Sequence, residues 1–184
     1  MDWIDSLQTG EKSKLWAGFK RATEREIAAV QIAISRTLPA DFQWFYTRIG
    51  YGHWPRSNGG NIYSPDEILQ TIGAPIYFIL GGLVPGKEWA TRDQHMQLWV
   101  SKGKANPAPG KFSAAALAYF GANLTDLLQI GTDGSAGYQM MHLASPSPIG
   151  YMVIPESGEP EFVSASFKEG IMRITDWLIA EDDA

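Results

Sequence analysis

The apolar residues of this chain change their period twice, and that succession limits the fold more than any single motif. In LPADFQWFYTRIG, Leu38, Phe42, Phe45, Tyr46 and Ile49 fall at offsets 0, 4, 7, 8 and 11, the spacing of one helix face. Between Leu127 and Ile154 the pattern becomes short apolar or alternating runs, LLQI, YQMMHL and IGYMVI. Turn residues separate them, which reads as a strand meander. The helical spacing then returns, with Phe167, Ile171, Ile174 and Leu178 at 0, 4, 7 and 11. Helices first, strands next and one last helix predict an α+β fold rather than an alternating βαβ array.

Local signals add boundaries. Residues 2–36 read as helical. Thr23 and Glu26 form a T-x-x-E capping box ahead of Ile27, Val30 and Ile34. The preceding piece, Lys14 to Thr23, carries Leu15, Trp16 and Phe19 on a similar face. Pro39 suits the first turn of the next helix, and Gly50 suits its left-handed end. GYGHWPRSNGGN is a loop by composition. An extended piece is expected at Asn61–Tyr63. Ser64 as N-cap, Pro65 and Glu67 then open a short helix to about Thr71. Residues 72–124 are the least readable, with turn-rich GGLVPGKEW and SKGKANPAPGK. TRDQHMQLWV fits a helix or a strand, and alanine enrichment predicts a helix from about Ser113 to Phe120. A further strand is expected over GEPEFV, a third capping box at Ser166 and Glu169, and a solvated acidic tail at EDDA.

The 184 residues fit one domain, large enough to bury roughly 70% of the unfolded surface. Cysteine is absent, which excludes disulfides, thiolate catalysis and cysteine-type zinc sites within this chain. The start, MDWIDSLQTGEKSK, is acidic and lacks an apolar run, so no signal peptide and a cytoplasmic location are expected. The longest apolar run, Ala74 to Val84, falls short of the about 20 residues that a membrane helix needs. A net charge of −5 argues against nucleic-acid binding and leaves room for a basic protein partner.

The stretch IGTDGSAGYQMMHL tests for chemistry. Its G-x-x-G-x-x-G lacks the lysine and spacing of a P-loop. It lacks the G-x-G-x-x-G of a dinucleotide site too, and the residues after it alternate like a strand. D-G-S-A-G is not the G-x-S-x-G of a nucleophile elbow. Asp133, Ser135 and His142 are near in sequence, but a triad is a matter of geometry. The Asp-Gly pair between two strand-like runs is explained by a tight turn. His53, His95 and His142 have no metal-ligand spacing. No catalytic, metal-binding or cofactor-binding residue is assigned, and no enzyme activity is expected.

A cluster of Tyr51, His53, Trp54 and Arg56 occupies the glycine-rich loop. Tyr, Trp and Arg anchor interfaces, so this loop is a candidate partner surface. Against that, a large aromatic such as Trp54 often folds back into a core.

The ordered segments LPADFQWFYTRIGYG, NIYSPDEIL, the IGTDGS turn and SASFKEGI resemble the SUKH superfamily of Smi/Knr-type cell-wall regulators and bacterial immunity proteins. The resemblance covers roughly residues 23–71 and 124–179. It leaves an extra N-terminal helix at about 1–22 and an insertion at about 72–123. It implies a single α+β domain, a mostly antiparallel sheet flanked by N-terminal helices and a C-terminal helix. It also implies a protein that binds and neutralises a cognate secreted toxin domain, a nuclease or another nucleotide-acting enzyme. The alternative it carries is an interaction module of the cell-wall regulator type without a toxin; a small-ligand binder or enzyme is a third reading. The surface expected to meet a partner comprises Tyr51, His53, Trp54, Arg56, Asp133 and Ser135.

Overall fold

The computed structural model describes residues 2–55, 60–72, 127–134, 137–143, 150–154 and 161–182. The expectations for Ser113–Phe120 and TRDQHMQLWV lie outside the described residues.

Three helices occupy the N-terminal fifth: α1 (Trp3–Leu7), α2 (Gly10–Trp16) and α3 (Glu24–Ile34). The helix expected over residues 2–36 is therefore broken twice. The second break has a long-range cause. After Ala17 the chain extends, and Lys20 and Tyr51 exchange two backbone N–H···O bonds of 2.9 Å each. No helix can keep that partner, because its own ladder would use the same groups. α3 then opens on the expected capping box. The Thr23 hydroxyl accepts the Glu26 N–H at 3.2 Å, and the Glu26 carboxylate accepts the Thr23 N–H at 2.7 Å.

α4 (Ala40–Arg48) buries the whole predicted stripe, Leu38, Phe42, Phe45, Tyr46 and Ile49. Pro39 stands at its N-cap rather than inside the first turn. Gly50, with φ +116°, ends it by donating its N–H to the Phe45 carbonyl at 2.9 Å. α5 (Pro65–Ile72) starts on a second box, Ser64 with Glu67. α6 (Phe167–Asp182) starts on the third signal. Here Ser166 accepts the Glu169 N–H, while the Glu169 carboxylate accepts the Ala165 N–H at 3.1 Å. α6 runs into the EDDA tail as far as Asp182.

Among the described residues the sheet has six strands in chain order, each antiparallel to the next. They are β1 (Gly52–His53), β2 (Asn61–Ile62), β3 (Leu127–Thr132), β4 (Tyr138–His142), β5 (Tyr151–Ile154) and β6 (Glu161–Ser164). A register shift between Gln129 and Gly131 puts a bulge at Ile130. The fold is α+β, with N-terminal helices and a C-terminal helix flanking an antiparallel sheet.

Leu128, Ile130, Met141, Tyr151 and Val153 of the sheet share one core with Phe42, Phe45, Phe167 and Ile171 of the helices. The Phe167 ring meets Phe42 at 5.2 Å and Phe45 at 5.5 Å, both edge-on. Each such side chain contributes about 1.5–3 kcal/mol by leaving water. Strand alternation turns Met140 and Met152 to the opposite face, where they are also buried. The N-terminal helices are tied on by ion pairs, Arg48 to Asp2 and Asp5, and Lys12 to Asp176 at 2.6 Å.

Candidate functional site

The two segments singled out in the sequence meet at one end of the sheet. β2 lies between β1 and β3, with His53 opposite Asn61 and Asn61 opposite Thr132. Gly60 leads into β2 and is wedged there. A Cβ on it would come within 2.5 Å of the Thr132 carbonyl oxygen and 2.6 Å of the Trp54 ring. It would also come within 2.7 Å of the Asp133 carbonyl carbon. The Trp54 N–H donates to the Gly60 carbonyl at 3.1 Å, which closes the β1–β2 loop. Only a glycine lets the loop rest on the Asp133 turn this closely.

A polar chain fastens this end to the core. The Thr132 hydroxyl donates to Asn61 Oδ1 at 2.7 Å. Gln139 Nε2 donates to the carbonyls of Thr132 at 2.7 Å and Asn61 at 3.2 Å. The Tyr151 hydroxyl donates to Gln139 Oε1 at 2.8 Å. Gln139 and Tyr151 have no exposed surface, so the bonds offset the desolvation of their polar groups. Burial pushes the Tyr151 phenol well above its ordinary range. Beside the turn, Tyr138 is pushed up to about 12, by burial first and by Tyr63 and Asp133 second.

Four of the six predicted partner residues lie in the described structure. Tyr51 is half-buried and held by the bridge to Lys20, whose ammonium stands 5.8 Å from the Tyr51 ring centre. His53 is exposed on β1. Asp133 is partly exposed, and its carboxylate accepts the Gly137 N–H at 2.8 Å. Trp54 corrects the expectation. It is 3% exposed and packs edge-on against Trp16 at 6.1 Å, so its ring is core and offers no surface to a partner. The driving force is the apolar area of an indole, which a glycine-rich loop is free to fold inward. Arg56 and Ser135 lie outside the described residues.

The two described histidines, His53 and His142, do not converge. His53 is exposed on β1, His142 is buried on β4, and His95 lies outside the described residues. His142 follows Tyr138 by four residues along β4, about 13 Å at the strand rise, so sequence proximity to Asp133 does not become triad geometry. Among the described residues there is no group of three or more His, Asp or Glu placed to hold a metal ion. No helix among them is long and apolar enough to cross a membrane.

A second surface is absent from the sequence expectations. A groove of about 390 Å³ runs between α3 and α4, with Ile27 as its buried apolar lining. Gln31, Gln43 and Thr47 line it, and Glu24 and Trp44 stand exposed at it. Trp44 is 53% exposed, and Ile32, next to Gln31, is 78% exposed. The signal was available: Trp44 falls two residues from both Phe42 and Tyr46, off the buried stripe of α4.

The chain matches the model of the SMI1 / KNR4 family (SUKH-1) over residues 21–173. The match begins two residues before the Thr23 capping box, leaves α1 and α2 outside, and runs across residues 72–123. No curated protein shows a significant match to the chain.

Proposed function

The chain belongs to the SMI1 / KNR4 family (SUKH-1), and on that premise we propose that it is a bacterial immunity protein. In this reading it binds the catalytic domain of a cognate polymorphic toxin in the cytoplasm and blocks it. The observation that carries the reading is the family match over residues 21–173. Two physical features support it. The net charge of −5 favours fast, steered association with a basic partner such as a nuclease domain. The end of the sheet that carries His53 and Asp133 is braced by buried and partly buried hydrogen bonds, so a partner meets a pre-formed surface.

Neutralisation needs no chemistry from the immunity protein. A carboxylate such as Asp133 can stand where the toxin's substrate phosphate would sit, and a bound protein excludes substrate by volume alone. The test is co-expression with the toxin domain encoded by the adjacent upstream gene. Growth is restored and a stable complex is isolated if the reading holds. Continued toxicity at equal expression, with no complex, overturns it. That outcome, together with a gene standing apart from any toxin gene, would favour the alternative of a regulator-type interaction module without a toxin.

A further inference from the structure

We propose that the groove between α3 and α4 is the anchor of the protein partner. It would take an aliphatic or aromatic side chain flanked by lysine or arginine on a basic protein surface. This rests on the reading that the chain works by binding a protein.

The argument starts from α3. Its sequence EREIAAVQIAI carries no charge from Ile27 to Ile34, although only Ile27 and Val30 of this helix are buried. A surface helix ordinarily alternates an apolar face with a charged one. Here the solvent side instead presents Ala33 and Ile32, the latter 78% exposed. Across the groove Trp44 leaves 53% of its surface in water. Single exposed apolar residues are common, but Trp44 stands at the edge of a concave groove in which Ile27 is the buried apolar lining. Tryptophan is also among the residues most enriched in interface hot spots.

The groove is pre-formed. Gln31 Oε1 accepts the Leu38 N–H at 2.9 Å, and Gln43 Nε2 donates to the Leu38 carbonyl at 2.7 Å. Both amides thereby clamp the α3–α4 connection from opposite sides of one residue. The Thr47 hydroxyl donates to the Gln43 carbonyl at 2.8 Å. Gln31 Oε1, Gln43 Nε2 and the Thr47 hydroxyl are thus engaged within the protein, which fixes these three side chains in place.

Charge selects the occupant. Glu24 is the charged residue that lines the groove, and its carboxylate has no hydrogen bond or ion pair among the described residues. Glu26, in the same first turn of α3, is engaged in the Thr23 capping box. Asp41 accepts the Lys168 N–H at 2.8 Å. Glu24 is left to pair with a cation from outside. An apolar knob with a basic neighbour satisfies Trp44 and Glu24 together, and it agrees with the chain's net charge of −5.

The test is calorimetric titration of Trp44→Ala, Glu24→Gln and the unchanged protein with a catalytically inactive form of the toxin domain encoded upstream. Far-ultraviolet dichroism and urea unfolding serve as fold controls. Trp44→Ala is expected to weaken binding by about 30-fold or more. Glu24→Gln is expected to weaken it about threefold to tenfold and to flatten its dependence on salt. Equal affinities for both variants and the unchanged protein overturn the groove assignment while leaving the proposed function standing. Absence of binding by the unchanged protein overturns both. A third outcome, self-association that Trp44→Ala abolishes, assigns the groove to a second copy and overturns the proposed occupant.

Discussion

The Asp133 carboxylate accepts the Gly137 N–H at 2.8 Å, while the Asp133 N–H donates to the Gly137 carbonyl at 3.2 Å. These two residues close the β3–β4 turn from both sides, and Gly134 supplies the positive φ of +86° between them. Asp133 is thus the turn-former that the Asp-Gly pair implied, with part of its surface left exposed. Asp133→Ala is expected to lower stability by about 1 kcal/mol. A Cβ on Gly137 would fall within 2.1 Å of Asp133 Oδ2, so Gly137→Ala must push the carboxylate off its bond. The two substitutions should be strongly non-additive in urea unfolding, because each removes the same contact.

The buried amide of Gln139 joins three strands. Gln139→Leu strips the Tyr151 hydroxyl of its acceptor and the Thr132 and Asn61 carbonyls of a donor. A loss of about 2–4 kcal/mol is expected, larger than for Tyr151→Phe, which orphans only Gln139 Oε1. Adding Tyr151→Phe to Gln139→Leu should recover part of that loss, since the orphaned hydroxyl goes too. Thermal unfolding of the three variants reads this out.

Acid sensitivity should map to the first capping box. The Thr23 N–H and then its hydroxyl hold the Glu26 carboxyl below its ordinary range. A lowered folded value means that the stabilisation is present above the ordinary glutamate range. It is lost as pH falls through the folded value. Thr23→Ala should cost about 1 kcal/mol at neutral pH. Glu26→Gln should flatten the acid limb of the stability curve, measured by urea midpoints from neutral pH downward.

Alkaline sensitivity has the opposite sign. Tyr138 is raised from 10.0 to about 12, chiefly by burial. Its contribution is complete below pH 10 and is lost between 10 and about 12. Over that interval the unfolded phenol ionises and the folded one does not. Tyr138→Phe should lose less stability over this interval. Its phenolate absorbance titration should lack one group at about 12.

Features whose cause is local were legible in the sequence. Three capping signals, the Leu38–Ile49 stripe and the Phe167–Leu178 stripe each depend on residues within a few positions of one another, and each appears in the fold. What escaped has causes elsewhere in the chain. Leu15, Trp16 and Phe19 keep helical spacing, yet Phe19 lies outside any helix because Lys20 is claimed by Tyr51, thirty-one residues on. That Trp54 turns inward was an open alternative on its size alone, but its partner Trp16 is announced by no loop composition. β1 has two residues, too few for alternation to register. Trp44 needed only a helical wheel, but its meaning depends on α3 lying across the groove.

The bridge between Lys20 and Tyr51 has a bearing on how anything can attach to this molecule. Among the described residues β1 is an outer strand, and outer strands invite a second chain to hydrogen-bond along them, in recognition or in aggregation. Here the strand offers two residues, and the backbone of Tyr51, just upstream, is already engaged on both its N–H and its carbonyl by Lys20. That margin of the sheet is shortened as a template for main-chain pairing. A truncation that removes residues 1–20 would free the Tyr51 backbone for such pairing and would at the same time strip Ile4, Leu7, Leu15 and Trp16 from the core.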